Sequence, residues 1–571
     1  HMFLKSEKRS IACVIFMLFF MVCLSFAEEP IRTPAERGHY SEYTQHQAIA
    51  CFLSQLDMIS DNLEVRVVGR TLGREDYGSK DLLLCIITKE GISSPEDLNR
   101  SKPTFYIVGA KHGNEQSAKE AALMMIRDLT VGELQPLLEK VNFLILPAAN
   151  PYGNWFDMRR NEQDLDLNRD QVKLESRESE AINCVFREWM PEATMDVHEK
   201  GDDFYKVSIG CVSNPNIHAS IQEFSRNVLL TEVNRKLKER NITFHEYLVT
   251  QRMGIDSSAG VDYSQGDRGE REFLMRYSTT DLNDGRNSPG IYESLSFIQE
   301  GASRHDLETL EERTHYQYYG LRSMAECIGE HGKEVISLVR GLRKELLQKA
   351  GKYSEEDLVH LRMKYVRDEK EPFIKLKQYK QDERQRPVLG SLREDKKAGD
   401  TLTYRDIIPS PRPSGRETEE IVVENWFPDV SPTVSVSRPL AYIIPSQYGD
   451  VIDTLIKHRI KVDIFNKDCF PDVQVYTVTD IVEAKYDYLA PQEISVAKKE
   501  VNTVVKKGDF YVTCAQEGAH LIPCLLEPES QYGLIRYWKY HLVPDKGGVF
   551  PFYRIIKNQE LPLVPFMPWK R

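Results

Sequence analysis

Phe105-Tyr106-Ile107-Val108-Gly109-Ala110-Lys111-His112-Gly113-Asn114-Glu115 is the stretch on which the reading of this chain turns. Four consecutive apolar residues ending in glycine read as a strand buried on both faces, as in a sheet covered by helices. Immediately after it, His112 and Glu115 stand three residues apart at the strand's C-terminal edge. A helical turn starting there brings positions i and i+3 to one side, so an imidazole nitrogen and a carboxylate can face one ion. Working outward, Ser117 to Leu129 carries Ala118, Ala121, Ala122, Met125 and Ile126 at helical spacing. Val141-Asn142-Phe143-Leu144-Ile145-Leu146-Pro147 then reads as a second buried strand. Strand, helix, strand predicts an α/β sheet with crossover connections.

A His and a Glu are too few for a catalytic metal. Catalytic zinc typically takes three protein ligands and leaves one position for water. His198, at the polar end of Ala193-Thr194-Met195-Asp196-Val197-His198-Glu199, is the best third candidate, although a lone histidine there is more often a structural one. Between the two sites lie Asn150-Pro151-Tyr152-Gly153, Arg159-Arg160-Asn161 and Asp166-Leu167-Asn168-Arg169-Asp170.

This ordered set resembles the zinc carboxypeptidases of the carboxypeptidase A type, whose pattern is HxxE, NPDG, RxNxxGxDLNR, a strand ending in His and a strand ending in the catalytic Glu. The resemblance covers about Tyr40 to Glu300. It implies an α/β fold with a mixed eight-stranded sheet and one zinc ion at its C-terminal edge. Carried over residue by residue, it makes His112, Glu115 and His198 the zinc ligands. It makes Asp166 the carboxylate behind the first histidine, a partner that fixes tautomer and orientation. Arg159 matches the arginine that stabilises the developing oxyanion. Asn168 and Arg169 match the pair that holds the substrate's terminal carboxylate, which a guanidinium fork accepts bidentately. Glu300, closing Ser294-Leu295-Ser296-Phe297-Ile298-Gln299-Glu300, matches the general base. For the family's substrate-contacting tyrosine, Tyr277 and Tyr292 compete; neither matches a motif, and Tyr277 ranks first. Three departures stand out. Tyr152 replaces Asp, Asp164 replaces Gly so that the loop must bend differently, and Gly301-Ala302-Ser303 replaces Thr-Arg-Gly.

The rest of the chain supplies context. It has 571 residues with 41% hydrophobic and 28% charged, ordinary globular composition that excludes a disordered, collagenous or multi-span membrane protein. A formal charge of −12 without a basic run makes nucleic acid a poor partner. His1-Met2 reads as an expression scar. Lys5, Lys8 and Arg9, an apolar run from Ile11 to Phe26 and Ser25-Phe26-Ala27 then read as a secretory signal cleaved after Ala27. The run is short for a bilayer, which needs about 20 residues. The expectation is therefore a secreted or periplasmic product with no stable membrane insertion. Eight cysteines follow that segment, scattered and without CxxC, so their pairing is open.

Composition divides the mature chain into a catalytic unit over 28–340, a charged, mostly helical segment with a proline-rich linker over 341–437, and a smaller β-rich accessory unit over 438–571. In the last, Leu440–Ile444, Ile460–Phe465 and Phe510–Val512 read as strands and Tyr448–His458 as a helix. Similar bacterial family members begin an accessory domain near an Arg-Pro followed by a strand, as at Arg438-Pro439. The leading function is an exported zinc carboxypeptidase acting on a peptide with a free C-terminal carboxylate. Two alternatives stand beside it. One is a zinc amidohydrolase acting on peptidoglycan-derived peptides or N-acyl amino acids, since HGNE also resembles desuccinylases and aspartoacylases. The other is an inactive binding protein of the same fold.

Overall fold

In the computed structural model the run at 104–109 is the strand β3 (Thr104–Gly109), buried at every residue. The structure describes residues 31–252, 273–277, 279–304, 306–380, 391–392, 407–408, 416–424, 426–482 and 493–567. The signal-like segment lies outside them. The other strands of the first unit are β1 (Leu63–Arg70), β2 (Asp81–Ile87), β4 (Asn142–Leu146), β5 (Ala193–Lys200), β6 (Val207–Cys211), β7 (Phe244–Glu246) and β10 (Leu295–Ala302). A separate ribbon pairs β8 (Val249–Arg252) with β9 (Phe273–Arg276).

The eight strands form one sheet in the order β1-β2-β4-β3-β5-β10-β6-β7. Its centre is parallel, β4 with β3, β3 with β5 and β5 with β10, while β1, β2 and β6 run antiparallel to their inner neighbours. This is the mixed eight-stranded α/β sheet expected. Parallel strands need helical crossovers on both faces, which is why β3, β4 and β10 carry no polar face to solvent. The crossover after β3 is the helix Gln116–Thr130, and the helix Leu310–Glu330 packs beside it. The arrangement brings the C-terminal ends of β3, β5 and β10 side by side, the edge where open α/β sheets place their ligands.

Beyond the sheet, the helix Gly332–Ala350 runs through the expected boundary at 340. The helical pattern expected beyond it is not what forms. Leu358–Val366 pairs antiparallel with Asp429–Ser437, and Ile374–Tyr379 with Thr418–Val423. The reason is legible afterwards: Val359, Leu361, Met363 and Tyr365 alternate with His360, Arg362 and Lys364, a period of two hidden in a charge-rich composition. Pro432 sits within the ladder at an irregular register, tolerated because a two-stranded ribbon consists of edge strands. The C-terminal unit is β-rich as expected, a seven-stranded sheet that includes Ala441–Ile444, Asp463–Phe465 and Phe510–Thr513, with the helix Gly449–Lys457. One apolar cluster runs through both units, from Ile49 to Phe552. The eight described cysteines are all free.

Candidate active site

The loop from 110 to 115 is shaped before it is chemical. Ala110 takes a left-handed conformation (φ 55°), turning the chain off β3. Gly113 lies against Gly153; a Cβ at Gly113 would stand 2.0 Å from the Gly153 carbonyl carbon, so neither backbone tolerates a side chain between them. Asn150 locks this approach. Its Oδ1 accepts from Gly153 N at 2.8 Å, and its Nδ2 donates to the carbonyls of Lys111 (3.0 Å) and Arg159 (3.3 Å). Tyr152, in place of the family's Asp, packs its ring on Phe156 at 4.7 Å. Asp164 adopts the conformation glycine favours (φ 60°), so the loop there needs no different bend. Its carboxylate pairs with Arg160 at 3.1 Å.

His112, Glu115 and His198 come together, all buried. Glu115 Oε1 lies 2.7 Å from His112 Nδ1 and Oε2 2.8 Å from His198 Nδ1, and the two Nδ1 atoms are 3.0 Å apart. Both remaining ring nitrogens face carboxylates: His112 Nε2 stands 3.1 Å from Asp166 Oδ1, and His198 Nε2 2.9 Å from Asp196 Oδ2. Each imidazole is thereby oriented with its Nδ1 toward the shared point, the arrangement of carboxylate–histidine–zinc triads. Two imidazoles and a carboxylate are the donor set of catalytic zinc sites, so the residues fit the ion. The electrostatics agree. Burial would raise Glu115, but His112 and His198 outweigh it and hold the carboxyl well below its usual range. Burial would lower His198, but Asp196 and Glu115 hold it well above. Such a cluster calls for positive charge at its centre.

Asp196 was not singled out by the sequence, nor was its second partner. Lys111 Nζ donates to Asp196 Oδ2 at 3.0 Å, both side chains 2% exposed. Burial would raise Asp196; His198 and Lys111 bring it down to about 2. Gly285 closes over this pair, for a Cβ there would fall 1.9 Å from Asp196 Oδ2 and 2.5 Å from Lys111 Nζ.

Glu300 lies on β10 directly opposite His198 in the parallel register. Burial pushes its carboxyl up to about 7; Glu115 adds to this, while His198, His112 and Arg286 pull it down. The Tyr247 hydroxyl donates to Glu300, and burial with that neighbouring charge raises the phenol. Tyr247 follows β7, and its backbone N–H extends the ladder to Ile209 O at 3.1 Å. No local motif marks it in the sequence. Tyr277 sits elsewhere: its ring meets Trp426 edge-on at 4.7 Å and lies under the Arg226 guanidinium at 4.4 Å. Tyr292 is a core residue packed on Phe186 and Arg187.

Arg159 donates from Nε to Asp166 Oδ2 at 3.0 Å, with Nη1 3.7 Å from Glu115 Oε1 and 45% of the side chain exposed. It therefore stands between the cluster and solvent. Asp166 also caps the turn Leu167–Arg169 by accepting from Asn168 N at 2.9 Å. Arg169 Nη1 donates to Asn168 O at 2.7 Å, and Asn168 Oδ1 accepts from Gly285 N at 2.8 Å. The segment 279–287, ahead of β10, is held in turn by the strand Leu358–Val366 and by the C-terminal unit. Thr280 N donates to the Tyr365 hydroxyl (3.2 Å), Thr280 Oγ1 bonds Tyr532 (2.5 Å), and Asn283 Nδ2 donates to Tyr537 (3.0 Å).

With this geometry in place, comparison with known proteins is informative. Residues 52–192 match the zinc carboxypeptidase family model. Carboxypeptidase 2 of Trichophyton rubrum is 25% identical over 481 residues, 81% of this chain and 78% of that protein. Carboxypeptidase E of Caenorhabditis elegans is 28% identical over 160 residues, 25% of this chain and 32% of its own. Among solved structures, a Pseudomonas aeruginosa metallo-carboxypeptidase in complex with (2-guanidinoethylmercapto)succinic acid is 17% identical. It covers 51% of this chain and 71% of its own, with a TM-score of 0.36. With the buried His-Glu-His group, these matches make the chain a zinc-dependent peptide hydrolase. The curated relatives that cover 81% of this chain are fungal, whereas the resemblance in the sequence pointed to bacterial members.

Proposed function

We propose that this protein is an exported metallocarboxypeptidase that hydrolyses the last peptide bond of a substrate with a free C-terminal carboxylate. The observation that carries the reading is the register that sets Glu300 beside His198, a buried carboxyl with its pKa near neutrality next to a metal ligand but outside the ligand set. Zinc held by His112, Glu115 and His198 supplies Lewis acidity toward water and the scissile carbonyl. Glu300 takes a proton from the attacking water on a carboxylate oxygen and returns it to the departing amine. Its raised pKa suits both directions of that transfer. Arg159, held by Asp166 yet reaching solvent, presents its outer N–H groups to the developing oxyanion. Arg169 binds the terminal carboxylate, with Asn168 fixing Gly285 beside it. Export rests on the basic–apolar–small pattern of the first 27 residues.

The test is Glu300→Gln together with Arg169→Ala. Glu300→Gln should keep zinc and lower kcat by about 10²–10⁴-fold, the usual contribution of a general acid–base group. Arg169→Ala should penalise free-carboxylate substrates and spare C-terminally amidated ones. Equal loss on both would mean that Arg169 is structural and would favour an endopeptidase or amidase.

A further inference from the structure

The last turn of the helix Leu310–Glu330 carries ligating side chains that the hydrolytic site does not use. Cys327 and Glu330 stand three residues apart and so share one side of that helix. The helix Thr231–Glu239 packs beside it and brings Glu232 to the same place. Cys327 Sγ and one carboxylate oxygen each of Glu232 and Glu330 all lie within 4.8 Å of one another. The thiol is fully buried, whereas the Glu232 and Glu330 side chains are 32% and 42% exposed. The group is therefore closed behind by sulfur and open to solvent through its carboxylates.

Two observations on different atoms point to a cation. The first concerns the carboxylates. They meet at a helix C-terminus whose last turn holds no basic residue, where the unpaired carbonyls add negative partial charge. His331 Nε2 stands 3.0 Å from Glu232 Oε1, and Lys236 Nζ stands 2.8 Å from Glu330 Oε1. The second concerns the thiol. A buried free cysteine behaves as a small apolar side chain. Cys327 Sγ instead faces the two carboxylates, and it makes no hydrogen bond with them or with any other described residue. A neutral thiol gains nothing from that position, while a thiolate there requires a metal ion between itself and the carboxylates. Sulfur combined with carboxylate oxygen suits zinc and its borderline neighbours; calcium and magnesium take oxygen ligands alone.

We propose that Cys327, Glu330 and Glu232 form a second metal site, which takes zinc or a similar divalent ion with water completing the shell. His331 orients Glu232 toward it, as partners behind ligands do. Lys236 is the competitor: its ammonium bridges Glu330 and Glu326, at 2.8 and 3.4 Å, and an arriving ion leaves it paired with Glu326 alone. On binding, a sulfur–metal bond forms and the thiol proton leaves to solvent. The ion must displace both that proton and Lys236. This site is therefore weaker than the one at His112, Glu115 and His198, and it fills only with metal added after that one is occupied. Because its ligands come from two helices, occupancy ties the end of one to the start of the other.

The full-length chain carrying zinc in its hydrolytic site should be titrated with cobalt(II), following the thiolate-to-cobalt charge-transfer band in the near ultraviolet. The hydrolytic set contains no sulfur, so it contributes nothing to that band. The wild type should develop the band and Cys327→Ser should lose it. Glu330→Gln should move the midpoint to about tenfold higher cobalt or beyond, since it removes an anionic ligand. Lys236→Met should move the midpoint to lower cobalt, because the competing ammonium is gone. Damage to the fold would not tighten binding, so this variant decides the matter even if Cys327→Ser fails to fold. Peptide hydrolysis should be the same in all of them. No band in the wild type, a band that survives Cys327→Ser, or a Lys236→Met midpoint at or above that of the wild type would each overturn the inference.

Discussion

Asp196→Asn separates two jobs that one carboxylate performs. Asp196 Oδ2 lies 2.9 Å from His198 Nε2 and 3.0 Å from Lys111 Nζ, with all three side chains at most 2% exposed. The neutral amide no longer balances Lys111, whose Nζ donates to Asp196. Removing one partner of a buried pair costs about 3–5 kcal/mol. The amide is also a poorer acceptor for the His198 ring. Loss of such a partner behind a ligand typically weakens metal binding about 10- to 100-fold, or roughly 1.4–2.7 kcal/mol. Adding Lys111→Met removes the stranded cation while keeping the volume, so the double variant should regain most of the thermal stability and none of the zinc affinity. Melting curves with excess chelator read the first quantity, and competition against a chromophoric zinc chelator reads the second. Unchanged zinc affinity in Asp196→Asn would refute the orienting role. Recovery of both quantities in the double variant would show that the affinity loss was only a consequence of misfolding.

Elemental analysis should find one zinc per chain, with His198→Ala losing the metal and Glu300→Gln retaining it, since only His198 supplies a ligand. Glu178 is buried, and its carboxyl is pushed up to about 8, chiefly by burial and then by the Glu162 charge. A folded-state pKa above the unfolded one means that the folded form holds the proton longer, so stability falls as pH rises from about 4.5 to 8. Glu178→Gln should therefore melt a few degrees above wild type at pH 8 and close to it at pH 4.5; equal shifts at both would refute the raised carboxyl as the cause. Tyr532→Phe combined with Tyr537→Phe removes two hydroxyls that hold Thr280 and Asn283, at about 1 kcal/mol each. It should raise KM several-fold while zinc content stays constant, and an unchanged KM would detach the C-terminal unit from the pocket.

What could be read from the sequence follows the range of the interactions involved. β3 and the helix after it rest on local periodicity, and His112 and Glu115 are joined by a single turn. His198 and Glu300 become neighbours only through strand pairing, but each ends an apolar run, which marks a sheet edge. Tyr247 and Arg286 have no such mark, because β7 is three residues long and the segment before β10 is held by phenols from the 358–366 strand and the C-terminal unit. Lys111 and Asp196 carry no mark in the sequence, since a buried ion pair between the loop after β3 and the strand β5 leaves no spacing signal. The strands at 358–366 and 429–437 were obscured because charged residues on one face of a ribbon resemble those on one face of a helix.

The three phenols of Tyr365, Tyr532 and Tyr537 bear on how such an enzyme can diversify. They reach the segment that carries Asp284, Gly285 and Arg286 from a part of the chain that contributes no metal ligand and no base. On the proposed function, changes in the C-terminal unit would move the segment beside Arg169 while the His112, Glu115 and His198 group stays untouched, so substrate choice would be open to drift at positions remote from the reaction. A fragment trimmed to the eight-stranded sheet would keep His112, Glu115 and His198 together and lose the phenols that hold the segment 279–287.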